Sequence, residues 1–161
     1  MGLLRKLANL IADSRPMPGF ENHPRVGKLL STAQREARLL NHHAVDVEHV
    51  LLALIATRLP EHGASLPEAR QIVAKHLPHS NDPVRSPRLP LSVALHHVID
   101  LAHNMRAARS MEQLQPELIW LALLEQEQQP IHKLIADCRI DEARLREELQ
   151  AKLSSGRPAN K

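Results

Sequence analysis

The sequence predicts an all-α protein of two tandem helical repeats related by a pseudo-twofold axis, preceded by a short amphipathic helix. Three observations predict it. Val47–Leu54 reads V-E-H-V-L-L-A-L and Pro116–Leu123 reads P-E-L-I-W-L-A-L, 69 residues further on. The same interval relates Leu29-Leu30 to Val98-Ile99, Ala33 to Ala102 and Val26 to Leu95. Apolar residues recur at three- and four-residue spacing, between stretches rich in proline and capping residues. Two copies of one unit, neither able to bury its apolar face alone, cover each other when stacked.

Residues 3–12 carry Leu3, Leu4, Leu7, Leu10 and Ile11 on one helical face, opposite Arg5 and Lys6. Such a helix suits a membrane surface, a partner or the body of the protein; with only two cations beside the stripe, docking on the body is expected. A Pro-rich linker ends this segment by residue 21. Pro24 opens the next helix, predicted to run to about Leu40 with Leu29, Leu30, Ala33, Ala37 and Leu40 inward and Arg35, Glu36 and Arg38 outward. Asn41-His42-His43 ends it, and Asp46 caps a helix whose Val50, Leu51, Leu54 and Ile55 supply core. Ser65 and Glu68 have capping-box spacing and start a third helix, to about Leu77. Residues 78–90 hold Pro78, Pro83, Pro87 and Pro90 and form a linker. The second copy opens near Ser92 and runs to about Arg109. Pro116 takes the favoured first helical position, Pro130 marks a break, and Asp141 caps a last helix to about Leu153. The predicted division is 1–21 for the leading helix and linker, 22–77 and 91–153 for the repeats, and a disordered polar tail over 154–161.

Composition narrows the function. A chain of 161 residues suits one domain that buries about 68–70% of its unfolded surface. Hydrophobic content of 43% and charged content of 24% exclude disorder for the body. The one cysteine, Cys138, forms no internal disulfide, and no apolar run approaches the roughly 18 residues of a spanning helix, so a cytoplasmic protein is expected. A net charge of +3 and a pI of 9.4 raise nucleic acid as a partner. Against it, Phe20 and Trp120 are the only aromatic rings among Phe, Tyr and Trp, and the cations are interspersed with acids, as in Arg144-Leu145-Arg146-Glu147. Nucleic-acid binding is therefore not expected.

The stretches A-Q-R-E-A-R-L-L-N-H (33–42), V-x-V-E-H-V-L-L-A-L (45–54) and, in the second copy, Val98–Ala102, Pro116–Leu124 and Ile140–Leu145 resemble the Clp N-terminal repeat. That double four-helix module precedes the ATPase rings of Clp-type AAA+ unfoldases, and the resemblance spans about residues 22–153. Two departures stand out. Glu68-Ala69-Arg70 matches Glu142-Ala143-Arg144 at an interval of 74 residues, five more than elsewhere, and the second copy has Arg109-Ser110 where the first has its Asn-His turn. There is no G-x-x-x-x-G-K-[ST] phosphate loop, so this chain is not itself the ATPase.

The resemblance implies a non-enzymatic protein-binding module that recognises substrate proteins or adaptors for an AAA+ unfoldase or protease. The alternative is a stand-alone regulatory protein that binds a Clp unfoldase or protease subunit without recognising substrate. Glu48 and Glu117 occupy the same first-turn position in the two copies. A carboxylate there is favoured by the helix dipole with no ligand at all. In one branch of the resembled family the matching glutamates accept the guanidinium of phosphoarginine, while a hydroxyl near the start of each repeat's first helix holds the phosphate. Ser92 falls on that position in the second copy and His23 in the first, so the resemblance pairs Glu117 with Ser92 and Glu48 with His23. No cofactor is implied. The eleven histidines lack the i, i+3 or i+4 pairing on a predicted helix that a metal site needs, and Cys138, beside Leu134 and Ile135, reads as a core thiol rather than a nucleophile.

Overall fold

The computed structural model describes residues 24–127 and 129–156. Among them the chain forms seven α-helices: α1 Pro24–Leu39, α2 Val47–Ala56, α3 Leu66–His76, α4 Val93–Ala108, α5 Pro116–Leu124, α6 Gln129–Asp137 and α7 Glu142–Ser155. The helix predicted over 3–12, its linker and residues 157–161 lie outside the described residues. No helix among the described residues is long and apolar enough to cross a membrane.

The predicted caps are where the helices start. Asp46 and Ser65 each close a capping box, Ser92 and Asp141 accept the third helical N–H, and Pro116 opens α5. Helices α1 and α2 form one hairpin and α4 and α5 the other, with α3 against α2 and α7 against α5. Past their first turns the two short central helices run apolar around the whole helix because they are buried there: Val50–Ile55 of α2 and Leu118–Leu124 of α5 are all buried. Contacts of α1 with α5 and of α2 with α4 and α5 join the copies, and Ala33 and Ala102 are fully buried at equivalent places.

The turn after the first helix is the same in both copies despite different residues. His42 N–H reaches Ala37 O (2.9 Å) and Met111 N–H reaches Arg106 O (3.1 Å), with Asn41 (φ 54°) and Ser110 (φ 53°) left-handed just before them. Each closes its helix by the six-to-one bond that a left-handed residue permits.

Two sequence expectations are corrected. The third helix aligns at an interval of 76, not 74: cap Ser65 answers to Asp141, and buried Ala69 and Val73 answer to Leu145 and Leu149. The second copy uses the extra length for α6, with Pro130 inside its first turn rather than at a break. In its place the first copy has the loop 57–65. Gly63 (φ 102°) fits that loop against the α6–α7 turn, where a Cβ would lie 2.9 Å from Ile140 Cγ1 and 3.0 Å from Cys138 O. Ala64 N–H donates to Cys138 O at 2.7 Å, and Trp120 Nε1–H donates to Leu59 O at 2.9 Å. The second correction is Glu36, which is buried. It stands seven residues after Leu29 and three after Ala33, on the apolar stripe, and Arg70 meets both its oxygens (Nε–Oε2 and Nη2–Oε1, each 2.8 Å). The Pro-rich linker is strapped to α1: Gln34 exchanges hydrogen bonds with the Leu89 backbone (2.9 and 3.0 Å), and Arg38 donates to Ser86 O and Pro87 O.

Candidate functional site

The N-terminal ends of α2 and α5 are where the copies exchange contacts. Val45, just before α2, pairs in parallel with Leu91, just before α4: Val45 N–H donates to Pro90 O and Ser92 N–H to Val45 O, both at 2.8 Å. The pairing brings Ser92 Oγ–H to Asp46 Oδ1 at 2.7 Å, while Ser92 Oγ accepts from Leu95 N–H at 3.1 Å. Ser92 is thus both the cap of α4 and a brace on the cap of α2, the helix that carries Glu48. On the other side Arg25, in the first turn of α1, donates from Nη2 to Glu117 Oε1 at 2.8 Å.

The candidate residues therefore combine across the copies. The resemblance pairs Ser92 with Glu117, but the structure bonds Ser92 to the start of the Glu48 helix and bonds Glu117 to the first helix of the other copy. A pseudo-twofold axis does this when it sets each first helix against the partner copy's second helix. Spacing along the chain cannot reveal the exchange. His23 lies outside the described residues.

The two glutamates differ in surroundings. Glu48 is half-buried, its Oε2 has no hydrogen-bond partner among the described residues, and burial pushes its carboxyl up. Its own backbone N–H opposes that rise, nearby Asp46 adds to it, and His42 and His76 oppose it. Glu117 is 3% exposed, and its Oε2 likewise has no partner among the described residues.

Beside Glu48 runs a histidine relay that spacing alone did not flag. Asp46 N–H donates to His49 Nδ1 (2.9 Å), and since an amide only donates, His49 carries its proton on Nε2. That proton points at His42 Nδ1 (2.9 Å), which leaves His42 Nε2–H for Pro78 O (2.9 Å). Burial first, then the neighbouring His42, lowers His49 to about 4.

Burial, then the Asp137 carboxylate, pushes the Cys138 thiol up to about 11, so it stays protonated at neutral pH. Among the described residues no group of three or more His, Cys, Asp or Glu could hold a metal ion.

The family model of the Clp repeat (R) N-terminal domain matches residues 21–112 and 90–161. Among solved structures, the N-terminal domain of the chaperone ClpD from Arabidopsis thaliana superposes with a TM-score of 0.73 at 23% identity, over 83% of this chain and 99% of that one. The N-terminal domain of Hsp104 from Candida albicans gives 0.64 at 20% identity, over 81% and 89% of the two chains. A structure from a malarial protein secretion system gives 0.67 at 14% identity, over 83% and 95%. At these identities the likeness is one of fold. No curated protein matches the sequence.

Proposed function

The chain belongs to the Clp repeat N-terminal domain family, and on that footing we propose that it is a non-enzymatic module that binds substrate or adaptor proteins for an AAA+ unfoldase. The observation that carries the reading is Glu48: a half-buried first-turn carboxylate with one oxygen unpartnered among the described residues, beside a Ser92–Asp46 brace contributed by both copies. A carboxylate withdrawn from water with an open hydrogen-bonding position favours a cation that brings its own donors. The first turn of α4 adds backbone N–H groups for an anionic part of the same ligand. Phosphoarginine on a client protein joins both charges in one side chain and suits this combination. The lone buried thiol and the missing phosphate loop agree with a cytoplasmic partner of an ATPase carried on another segment or chain.

The test is titration of phosphoarginine into the wild type and Glu48→Ala. Loss of charge-assisted bonds worth about 1.5–3 kcal/mol should weaken binding about 10-fold or more while the melting midpoint holds. Equal affinity in both would move the binding surface away from α2, to the groove between the repeats.

A further inference from the structure

Among the described residues the first copy has three helices where the second has four, and the difference leaves a space. In the second copy α6 fills the gap between the end of α5 and the start of α7, with Ile131, Leu134 and Ile135 buried. In the first copy the matching gap, between the end of α2 and the start of α3, holds the 57–65 loop and an open cavity of about 760 Å³. Ile55 and Ala56 line it from α2 and Leu66 and Glu68 from α3. Two of these are apolar where the second copy is charged: Ala56 answers to Glu125 and Leu66 to Glu142. In the second copy Glu142 is the residue that meets α6, through His132 Nδ1 at 2.7 Å.

The chain carries a second version of the α6 sequence. Residues 7–13 read L-A-N-L-I-A-D and residues 131–137 read I-H-K-L-I-A-D, so Leu7, Leu10 and Ile11 match the three buried residues of α6. Ala8 stands where α6 has His132, an apolar residue to go with Leu66 in place of Glu142. The pseudo-twofold relation adds a charged match. Helix α6 also packs on α3 of the first copy, where Asp137 Oδ2 meets His76 Nε2 at 2.8 Å. Asp13 is the counterpart of Asp137, and at the third-helix interval of 76 the counterpart of His76 is Lys152, exposed in the last turn of α7. Opposite charges meet again.

We infer that residues 7–13 dock in this cavity, within their own chain, as the first copy's counterpart of α6. The connection is long enough. Helices α1 and α2 run antiparallel, so Pro24 lies toward the end of the hairpin where α2 finishes. Residues 14–23 can span about 33 Å when extended, more than the length of about 24 Å that α1 itself covers. Docking takes Leu7, Leu10 and Ile11 out of water together with the exposed Ala56 and the half-buried Leu66. It also gives both copies four helices, so that each covers its partner in the same way.

Two measurements on the full chain test this. Amide hydrogen exchange should show residues 7–13 protected, and Leu66→Lys, which changes only the cavity wall, should speed their exchange about 10-fold or more while α6 keeps its protection. Leu10→Asp combined with Ile11→Asp should do the same from the other side. Coupling with a carbodiimide, which condenses a carboxylate with an amine it touches, should join Asp13 to Lys152 within one chain. Asp13→Asn should abolish that product, and Leu10→Asp combined with Ile11→Asp should reduce it about 10-fold. Unprotected amides over residues 7–13 would overturn the inference and leave the cavity to another protein. Protection that Leu66→Lys and the Leu10, Ile11 pair of changes both leave intact would place the segment elsewhere on the domain. A 13–152 product found only between two chains would make the occupant a second copy's segment and equally sink docking in the same chain.

Discussion

Protonating His49 should cost the domain much of its stability, in a pH window its surroundings define. The ring is 1% exposed, and its two nitrogens have fixed roles, accepting from Asp46 N–H and donating to His42. A second proton would set N–H against N–H at Asp46 while charging a buried ring. The sign follows: the lowered His49 stays neutral in the folded state until pH falls to about 4, whereas the unfolded ring takes up its proton near the ordinary 6.5. Between those values the unfolded state binds more protons, so stability falls as pH falls, and above about pH 7.5 the residue adds no pH dependence. At about 1.4 kcal/mol per tenfold change in proton affinity, the full loss is about 3 kcal/mol. Glu48 works the other way, since its raised carboxyl binds a proton in the folded state first. The comparison must therefore be differential. His49→Gln keeps an acceptor for Asp46 N–H at the third helical position and does not titrate. Urea unfolding at several pH values from about 7.5 to about 4 gives the difference between the two proteins. A difference that stays flat across the window would refute the relay as the cause.

Three further outcomes test the packing. Arg70→Leu strips both bonds from buried Glu36 and should cost about 2–3 kcal/mol, discounted because the Arg70 side chain is 38% exposed; adding Glu36→Met should recover most of it, as read from urea midpoints. Gly63→Ala strains a left-handed residue and drives a methyl into Ile140 and the Cys138 carbonyl, so thermal unfolding should show a loss of about 1–3 kcal/mol; an unchanged midpoint would mean the 57–65 loop does not dock as described. Ala33→Leu should overpack the contact at the centre of the first copy by about 1–3 kcal/mol, and calorimetry that shows no loss would count against the repeat alignment.

What the sequence made legible was local. Asp46, Ser65, Ser92 and Asp141 could be read as caps because a cap is satisfied within three residues of itself, and the 69-residue interval fixed α1 with α2 and α4 with α5. Glu36 was misplaced because its charge outweighed its helical phase, although Leu29, Ala33, Glu36 and Leu40 lie on one stripe. The third-helix register failed for a similar reason: the E-A-R match at 74 is a match of letters, whereas the cap and the buried positions agree at 76. The pairing of Arg25 with Glu117 and of Ser92 with Asp46 depends on how two copies dock, and no spacing within a copy contains that information.

The duplication also separates what the fold requires from what one copy has added to it. The same hairpin is built with His42 and His49 in the first copy and with Met111 and Leu118 at the equivalent places in the second, and with Glu36 in one and Met105 in the other. Apolar residues therefore suffice to pack those positions. The polar versions in the first copy are not demanded by the architecture, and buried polar groups carry a desolvation cost that apolar packing avoids. His49 and the Glu36–Arg70 pair lie on α2 and the helices packed against it, with His42 in the turn between α1 and α2, while the second copy has Arg25 over its glutamate and an apolar interior behind it. One backbone thus holds an open carboxylate beside a titratable histidine relay and a covered carboxylate with apolar residues at the equivalent places. Acidification toward pH 4 should therefore disturb partner binding at the α2 end before the α5 end, an order that a symmetric pair of sites would not produce.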